Sequence, residues 1–421
     1  MEKSFLSKAW LVVALLWVVA LLNYCDRLMV TSMRLSLKDA FEMTDAQFGL
    51  LTSVFLWVYG VLSPAAGFLA DRFGRSRVIV GSLFIWSLAT GLTAYAQSFE
   101  QLVISRVIMG ISEACYIPAG LALIADYHRG PTRSMATGIH MTGIYVGSIL
   151  GGAGGWIADH YGWYEAFRIF GFGGLVYACL LALLLRDVPD LAVSHAADRK
   201  EGTGGLITAL VSLFSDFGFM LLLAFWTLLG MAGWTLVGWM PTYLNEEFGL
   251  SQGQAGLSAT GYYQAAAFVG VLLSGAWADW WSRRAPRARM FVPMIGVFLA
   301  APAMLMLAGT TLLPLALLGL AVCGFGRAFT DSNMMPMLCL VADRRYRATG
   351  YGVLNSFATI AGGGMIYIAG ALKDKQVNLS LMLYLAASLF LVCGALLWLV
   401  KPRSAGDTPA GACVPAPVSD A

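Results

Sequence analysis

Runs of about twenty apolar residues follow one another along almost the whole chain, separated by short polar turns. A helix of that length crosses the roughly 30 Å hydrocarbon core of a bilayer, where backbone N–H and C=O groups find no water and must pair within the segment. The expected fold is therefore an all-α membrane protein. Composition agrees: 58% of the 421 residues are hydrophobic and 12% are charged, about half the charged fraction of soluble domains. The net charge of +3 selects no partner and gives no sign of nucleic-acid binding. Ala9 to Val30 is longer than a signal-peptide core, and no small-residue cleavage site follows it before the next run, so it reads as a retained span.

The runs predict twelve transmembrane helices, at 9–31, 46–70, 77–97, 100–126, 133–158, 164–186, 217–243, 253–281, 289–309, 312–341, 347–371 and 378–401. Lys and Arg set the orientation. With the N-terminus in the cytoplasm, cytoplasmic segments hold 19 of the 27 basic residues and outer loops hold five. Arg27, Arg106 and Arg327 fall inside helices. Both termini are thus expected in the cytoplasm. The longest polar interruption, Pro189–Gly205, predicts an N-terminal six-helix bundle over 1–188, a cytoplasmic central loop over 189–215, a C-terminal six-helix bundle over 216–402, and a disordered tail over 403–421.

The two halves repeat each other. Phe41-Glu-Met-Thr-Asp-Ala-Gln-Phe-Gly-Leu50 matches Phe248-Gly-Leu-Ser-Gln-Gly-Gln-Ala-Gly-Leu257 at an offset of 207. Gly67-Phe-Leu-Ala-Asp71 matches Gly275-Ala-Trp-Ala-Asp279 at 208, and Glu113 with Pro118 matches Asp331 with Pro336 at 218. Ala125-Asp126 pairs in the same way with Ala342-Asp343. Two parallel six-helix repeats form two pseudo-symmetric bundles and build an alternating-access carrier with its solute site near the midplane between them.

Charges inside the apolar runs locate the candidate site, because a charge at a helix centre costs about 2.5–3.5 kcal/mol on insertion scales. Asp26 and Arg27 end the first run; Arg106 and Glu113 lie seven residues apart in the fourth, on one face and about 10.5 Å apart along the axis. All four are expected in the outer half of one cavity. Arg27 or Arg106 would hold a substrate carboxylate, and Asp26 and Glu113 would carry protons; an anion competing for the arginine would release the acid to take up a proton. The bland alternative is a permanent structural salt bridge. In helix 10, Arg327 and Asp331 are i,i+4 and can pair, followed by Asn333. They are read either as a C-terminal contribution to the site, with Asn333 on solute hydroxyls, or as a self-satisfied pair. His140 is a pore-side candidate on helix 5, whose glycines 143, 147, 151 and 152 suit tight packing. Trp234, Tyr262, Tyr263 and Gln264 could line the C-terminal half. The cysteines show no metal-binding or redox spacing. There is no GxxxxGK[ST] loop, so energy is expected from an ion or solute gradient, with no metal and no cofactor beyond the proton.

Gly67-Phe-Leu-Ala-Asp71-Arg72-Phe-Gly74-Arg75-Ser-Arg77 resembles the signature loop of the major facilitator superfamily, GxxxDRxGRR. The resemblance implies a gate latch made by Gly67, Asp71, Arg72, Gly74 and Arg75, repeated at Asp279. Within that superfamily, Asn23-Tyr24-Cys25-Asp26-Arg27 resembles the NYxDR element of the anion:cation symporters, and Arg106-Val-Ile-Met-Gly110-Ile-Ser-Glu113 resembles their RxxxGxxE pattern. Trp239-Met-Pro241-Thr-Tyr-Leu244 is similar to their helix 7. That resemblance implies that Tyr24 and Tyr59 contact sugar-acid hydroxyls and that Asn355 is a polar residue of the same site. Glu113-Ala114-Cys115-Tyr116 and the Arg283-Arg284-Ala-Pro-Arg287 stretch are also similar to spinster-like lipid carriers. The leading expectation is a non-enzymatic, monomeric transporter of the bacterial inner membrane that moves a sugar acid or related organic anion together with protons. The alternatives are a spinster-like lysolipid carrier and a non-transporting sensor on the same fold.

Overall fold

The computed structural model describes residues 2–128, 132–188, 206–285, 287–342 and 346–400. Among these the regular structure is helical, with no strand. The N-terminal half contains α1 (Glu2–Ser32), α2 (Arg34–Phe41), α3 (Asp45–Phe73), α4 (Arg75–Thr93), α5 (Phe99–Glu113), α6 (Tyr116–Tyr127), α7 (Arg133–Gly151), α8 (Ala153–Tyr161) and α9 (Trp163–Leu184). The C-terminal half contains α10 (Leu206–Phe214), α11 (Phe217–Phe248), α12 (Gln252–Ser282), α13 (Ala288–Gly309), α14 (Leu313–Asp331), α15 (Met334–Val341), α16 (Arg347–Asp374) and α17 (Leu379–Leu399). The expected central loop carries the helix α10; its remainder before Leu206 and the tail from Lys401 onward lie outside the described residues.

Ten helical rods among the described residues are long and apolar enough to cross a membrane. The other two expected rods, α7–α8 and α12, are helical where expected but carry many glycine and polar residues among the apolar ones. They pack against each other between the halves. Three expected helices are broken: the fourth after Glu113, the fifth at Gly152 and the tenth after Asp331. In the fourth and tenth a proline follows closely. Pro118 and Pro336 have no N–H for the carbonyls of Ala114 and Ser332, which sit in the two joints. Glu113 and Asp331 are thus the last residues of equivalent segments.

The repeated ten-residue segment turns out to be a helix start. Thr44 Oγ1 accepts from Gln47 N at 3.2 Å while Gln47 Oε1 accepts from Thr44 N at 2.9 Å, a reciprocal capping box on α3. Ser251 and Gln254 make the same box on α12, at 3.2 and 3.3 Å. The first amides of each helix are satisfied by the opposite half. Asp374 at the end of α16 accepts from Asp45 N at 2.7 Å and Ala46 N at 2.9 Å. Asp159 in α8 accepts from Gly253 N at 2.8 Å and from the Gln252 side chain at 3.2 Å. Arg34 adds a bridge between the halves, to Asp45 at 2.5 Å and to Glu246 of α11 at 3.0 Å, and Lys373 holds the other Glu246 oxygen at 2.6 Å.

Glycine sets the closeness of these contacts. A Cβ on Gly147 would lie 2.1 Å from the Leu21 carbonyl of α1, so α7 can seat there only without a side chain. A Cβ on Gly152 would lie 2.2 Å from Thr260 Oγ1 and 2.6 Å from the Gly256 carbonyl of α12. Gly152→Val should therefore wedge the halves apart at the Arg34 end. In a cysteine-free background carrying Thr260→Cys, labelling by a water-soluble maleimide should rise several-fold on adding Gly152→Val. Unchanged labelling of the folded protein would show that this contact does not hold the end closed.

Candidate functional site

Between the halves lies a cavity of about 230 Å3. Tyr24 and Arg27 enter it from α1 and Tyr59 from α3; Arg327 and Asp331 enter from α14, and Tyr351 and Asn355 from α16. Trp234, Tyr263 and Gln264 also line it, whereas Tyr262 is half exposed elsewhere.

The N-terminal wall is built around one buried ion pair. Arg27 Nη2 donates to Glu113 Oε2 at 3.1 Å, with side chains 3% and 0% exposed. Asn23 Nδ2 donates to the same oxygen at 3.0 Å, and its own oxygen lies 3.4 Å from Arg27 Nη2. The guanidinium also sits over the rings of Tyr24, Phe55 and Tyr59 at 4.6, 4.9 and 4.6 Å. Such cation–π contacts are worth about 2 kcal/mol when desolvated. Glu113 Oε1 is buried without a hydrogen-bond partner.

The other two expected charges stand behind this pair. Arg106 reaches backbone carbonyls, of Leu51 at 3.3 Å and of Asp26 and Arg27 at 3.5 Å, and lies 4.8 Å from the Phe55 ring centre. It braces the end of α1 from outside the cavity lining. Asp26 accepts from Thr90 Oγ1 at 3.3 Å, and its second oxygen is buried without a partner. The structure thus brings Arg27 and Glu113 together and sets Asp26 and Arg106 one layer back. Asn23 and Phe55 were missed as site residues. Phe55 precedes Tyr59 by one helical turn, so its face could have been read from the spacing.

On the C-terminal wall Arg327 Nη1 donates to Asp331 Oδ2 at 2.9 Å, with both side chains more than a quarter exposed. Asn333 is buried away from the cavity. Its amide donates to the Phe329 carbonyl and to Ser332 Oγ, each at 3.0 Å, inside the joint between α14 and α15. His140 is buried too, edge-on to Tyr116, instead of facing the pore.

Of the expected gate residues, Gly67, Asp71 and Arg72 fall on the last turns of α3, and their side chains lie outside the described residues. Gly74 joins α3 to α4 at φ +90°, a region that favours glycine. Arg75 donates to the Ala122 carbonyl at 2.9 Å and pairs with Asp126. Asp279 pairs with Arg289 at 3.1 Å.

Residues 16–365 match the family model of the Major Facilitator Superfamily. The chain belongs to that superfamily. A full-length similarity connects this superfamily member to an MFS-type efflux pump of Mycolicibacterium smegmatis, 28% identical over 95% of this chain and 94% of the pump. The probable galactarate/D-glucarate transporter GarP of Escherichia coli K12 is 25% identical, over 95% of each chain. In structure the chain resembles a bacterial homologue of the human lysosomal transporter spinster, described as inward-facing and unoccupied. The TM-score is 0.77 at 20% identity, covering 93% of this chain and 97% of that one.

In this superfamily member, removing one partner of the Arg27–Glu113 pair strands the other in an apolar site, at a cost of about 3–5 kcal/mol. Arg27→Ala and Glu113→Ala should each lower the unfolding temperature in detergent. The double substitution should cost less than the sum of the two. Additive losses would show that the residues do not stabilise each other.

Proposed function

We propose that the protein is a secondary transporter that moves an organic anion, a sugar acid or related carboxylate, together with protons. The observation that carries this reading is Arg27 on the cavity wall, paired to Glu113 buried directly behind it. Arg27 is the cation a carboxylate would seek, and Glu113 is the acid that already occupies it. A solute carboxylate reaching Arg27 competes for the same N–H donors and frees Glu113 to take a proton. Asp26, buried behind the lining next to Arg27 and with one oxygen unpaired, is the second acid on the route. Tyr24, Tyr59 and Asn355 line the same space with groups that suit hydroxyls. The named activity of GarP, a relative of equal length, supports the solute class.

With the N-terminus in the cytoplasm of a bacterial cell, the Arg34 end faces outward. The end closed by Asp159, Asp374 and Arg34 is then the outer gate, and the cavity communicates with the cytoplasm. The protein acts as a monomer in the inner membrane, and alternating access requires these outer contacts to break.

Uptake into proteoliposomes under an imposed inward proton gradient tests the reading, with aldonates, uronates, aldarates, sialic acid and simple monocarboxylates as the panel. Gradient-dependent accumulation of a carboxylate is expected. Glu113→Gln should keep solute binding but lose most of the accumulation driven by the gradient. Normal accumulation by this variant would remove Glu113 from coupling. Movement of lysophospholipid with no carboxylate transported would move the assignment to a lipid carrier.

A further inference from the structure

We infer that the solute carries two anionic groups and bridges the halves, one group on Arg27 and the other on Arg327. The inference rests on the organic-anion reading above and narrows it.

Arg27 and Arg327 line the same cavity from opposite halves of the chain. Each meets its carboxylate partner through a single terminal nitrogen, Nη2 of Arg27 on Glu113 and Nη1 of Arg327 on Asp331. In each guanidinium the Nε–H is buried with no hydrogen-bond partner. A guanidinium binds a carboxylate best through two parallel N–H donors, and a buried donor left unmet costs free energy. Both arginines therefore hold donor capacity in reserve on the cavity wall.

The geometry around Arg327 leaves the rest of its head group open to the cavity, while the Nε edge is covered. Gly233 of α11 faces it, and a Cβ there would come within 3.4 Å of Arg327 Nε. The side chain is 28% exposed, against 3% for Arg27, so a solute meets it with less displacement of protein.

The placement is also symmetrical. Glu113 and Asp331 end equivalent helical segments, each followed by a joint and a proline. Each half thus presents to the cavity one arginine held by one acid, although the arginines come from different helices, α1 and α14. A monoanion would engage one wall only. A solute with an anionic group at each end would engage both walls, and Gln264, Tyr351 and Asn355 in the same lining offer partners for its hydroxyls.

The test is binding to the full chain in detergent, by calorimetry, of D-glucarate and D-gluconate, which differ by one terminal carboxylate. The wild-type protein should bind the dicarboxylate about ten-fold tighter or more, the gain expected of an added charge-assisted contact. Arg327→Gln should weaken the dicarboxylate far more than the monocarboxylate, bringing the two together. Arg327→Gln/Asp331→Asn removes both charges at nearly constant shape and should do the same, which covers misfolding of the single variant. Equal affinities in the wild type, or equal losses in the variants, would overturn the two-anion inference and leave the organic-anion reading standing. Binding of neither compound nor any other carboxylate would overturn both.

Discussion

Two carboxylates fasten the two halves to each other at one end of the molecule. Asp374 and Asp159 lie at the ends of helices in opposite halves, 215 residues apart, and each accepts hydrogen bonds at the N-terminus of a helix in the other half. A helix N-terminus leaves its first amides unpaired and carries partial positive charge, so a carboxylate there is favoured by up to about 2 kcal/mol when partly buried. The third amide is taken by the local capping box, Thr44 or Ser251. The closed end is therefore made twice, by the same device, from repeated sequence. Its bonds join separate halves, so they are also the bonds that an alternating carrier must break and remake.

Closure at that end gives the buried charges their strength. Arg27 and Glu113 interact in a space walled by three aromatic rings and by Arg106 on the α1 carbonyls. Low polarity makes an ion pair strong and makes either charge alone costly. Such a pair responds sharply to a competing anion, because whatever replaces Glu113 on Arg27 must also answer for the stranded carboxylate. A proton does so at once. Under the proposed proton symport, coupling rests on a site too dry to hold an unpaired charge.

Much of the fold was legible in the sequence. The apolar runs placed the helices, and the offset of about 207 residues marked the two halves. The repeated Thr44–Gln47 and Ser251–Gln254 segments were visible as similarity before they were visible as caps. What could not be read were contacts across helices. The seven-residue spacing of Arg106 and Glu113 fixed their shared face, but the neighbour each would meet depends on how α1 and α3 pack beside α5. Arg106 met backbone carbonyls and Glu113 met Arg27. Asn333 looked equally polar on paper and was spent on its own helix joint. Asp159 and Asp374 drew no attention, since an acid at a helix end is ordinary until a foreign N-terminus arrives beside it.

The two halves are equivalent in backbone but unequal in burial, and the inequality bears on how a carrier of this kind works. The N-terminal pair, Arg27–Glu113, is nearly sealed; the C-terminal pair, Arg327–Asp331, is open to the cavity. An exposed pair exchanges partners at little cost because water screens the change, and a sealed pair cannot. A solute entering the cavity would first find Arg327, where binding is easy and reversible. Only by reaching across to Arg27 would it disturb the charge balance on which the proposed proton coupling rests. Recognition and coupling are then divided between the halves, and a solute too short to touch both walls would be held without being carried.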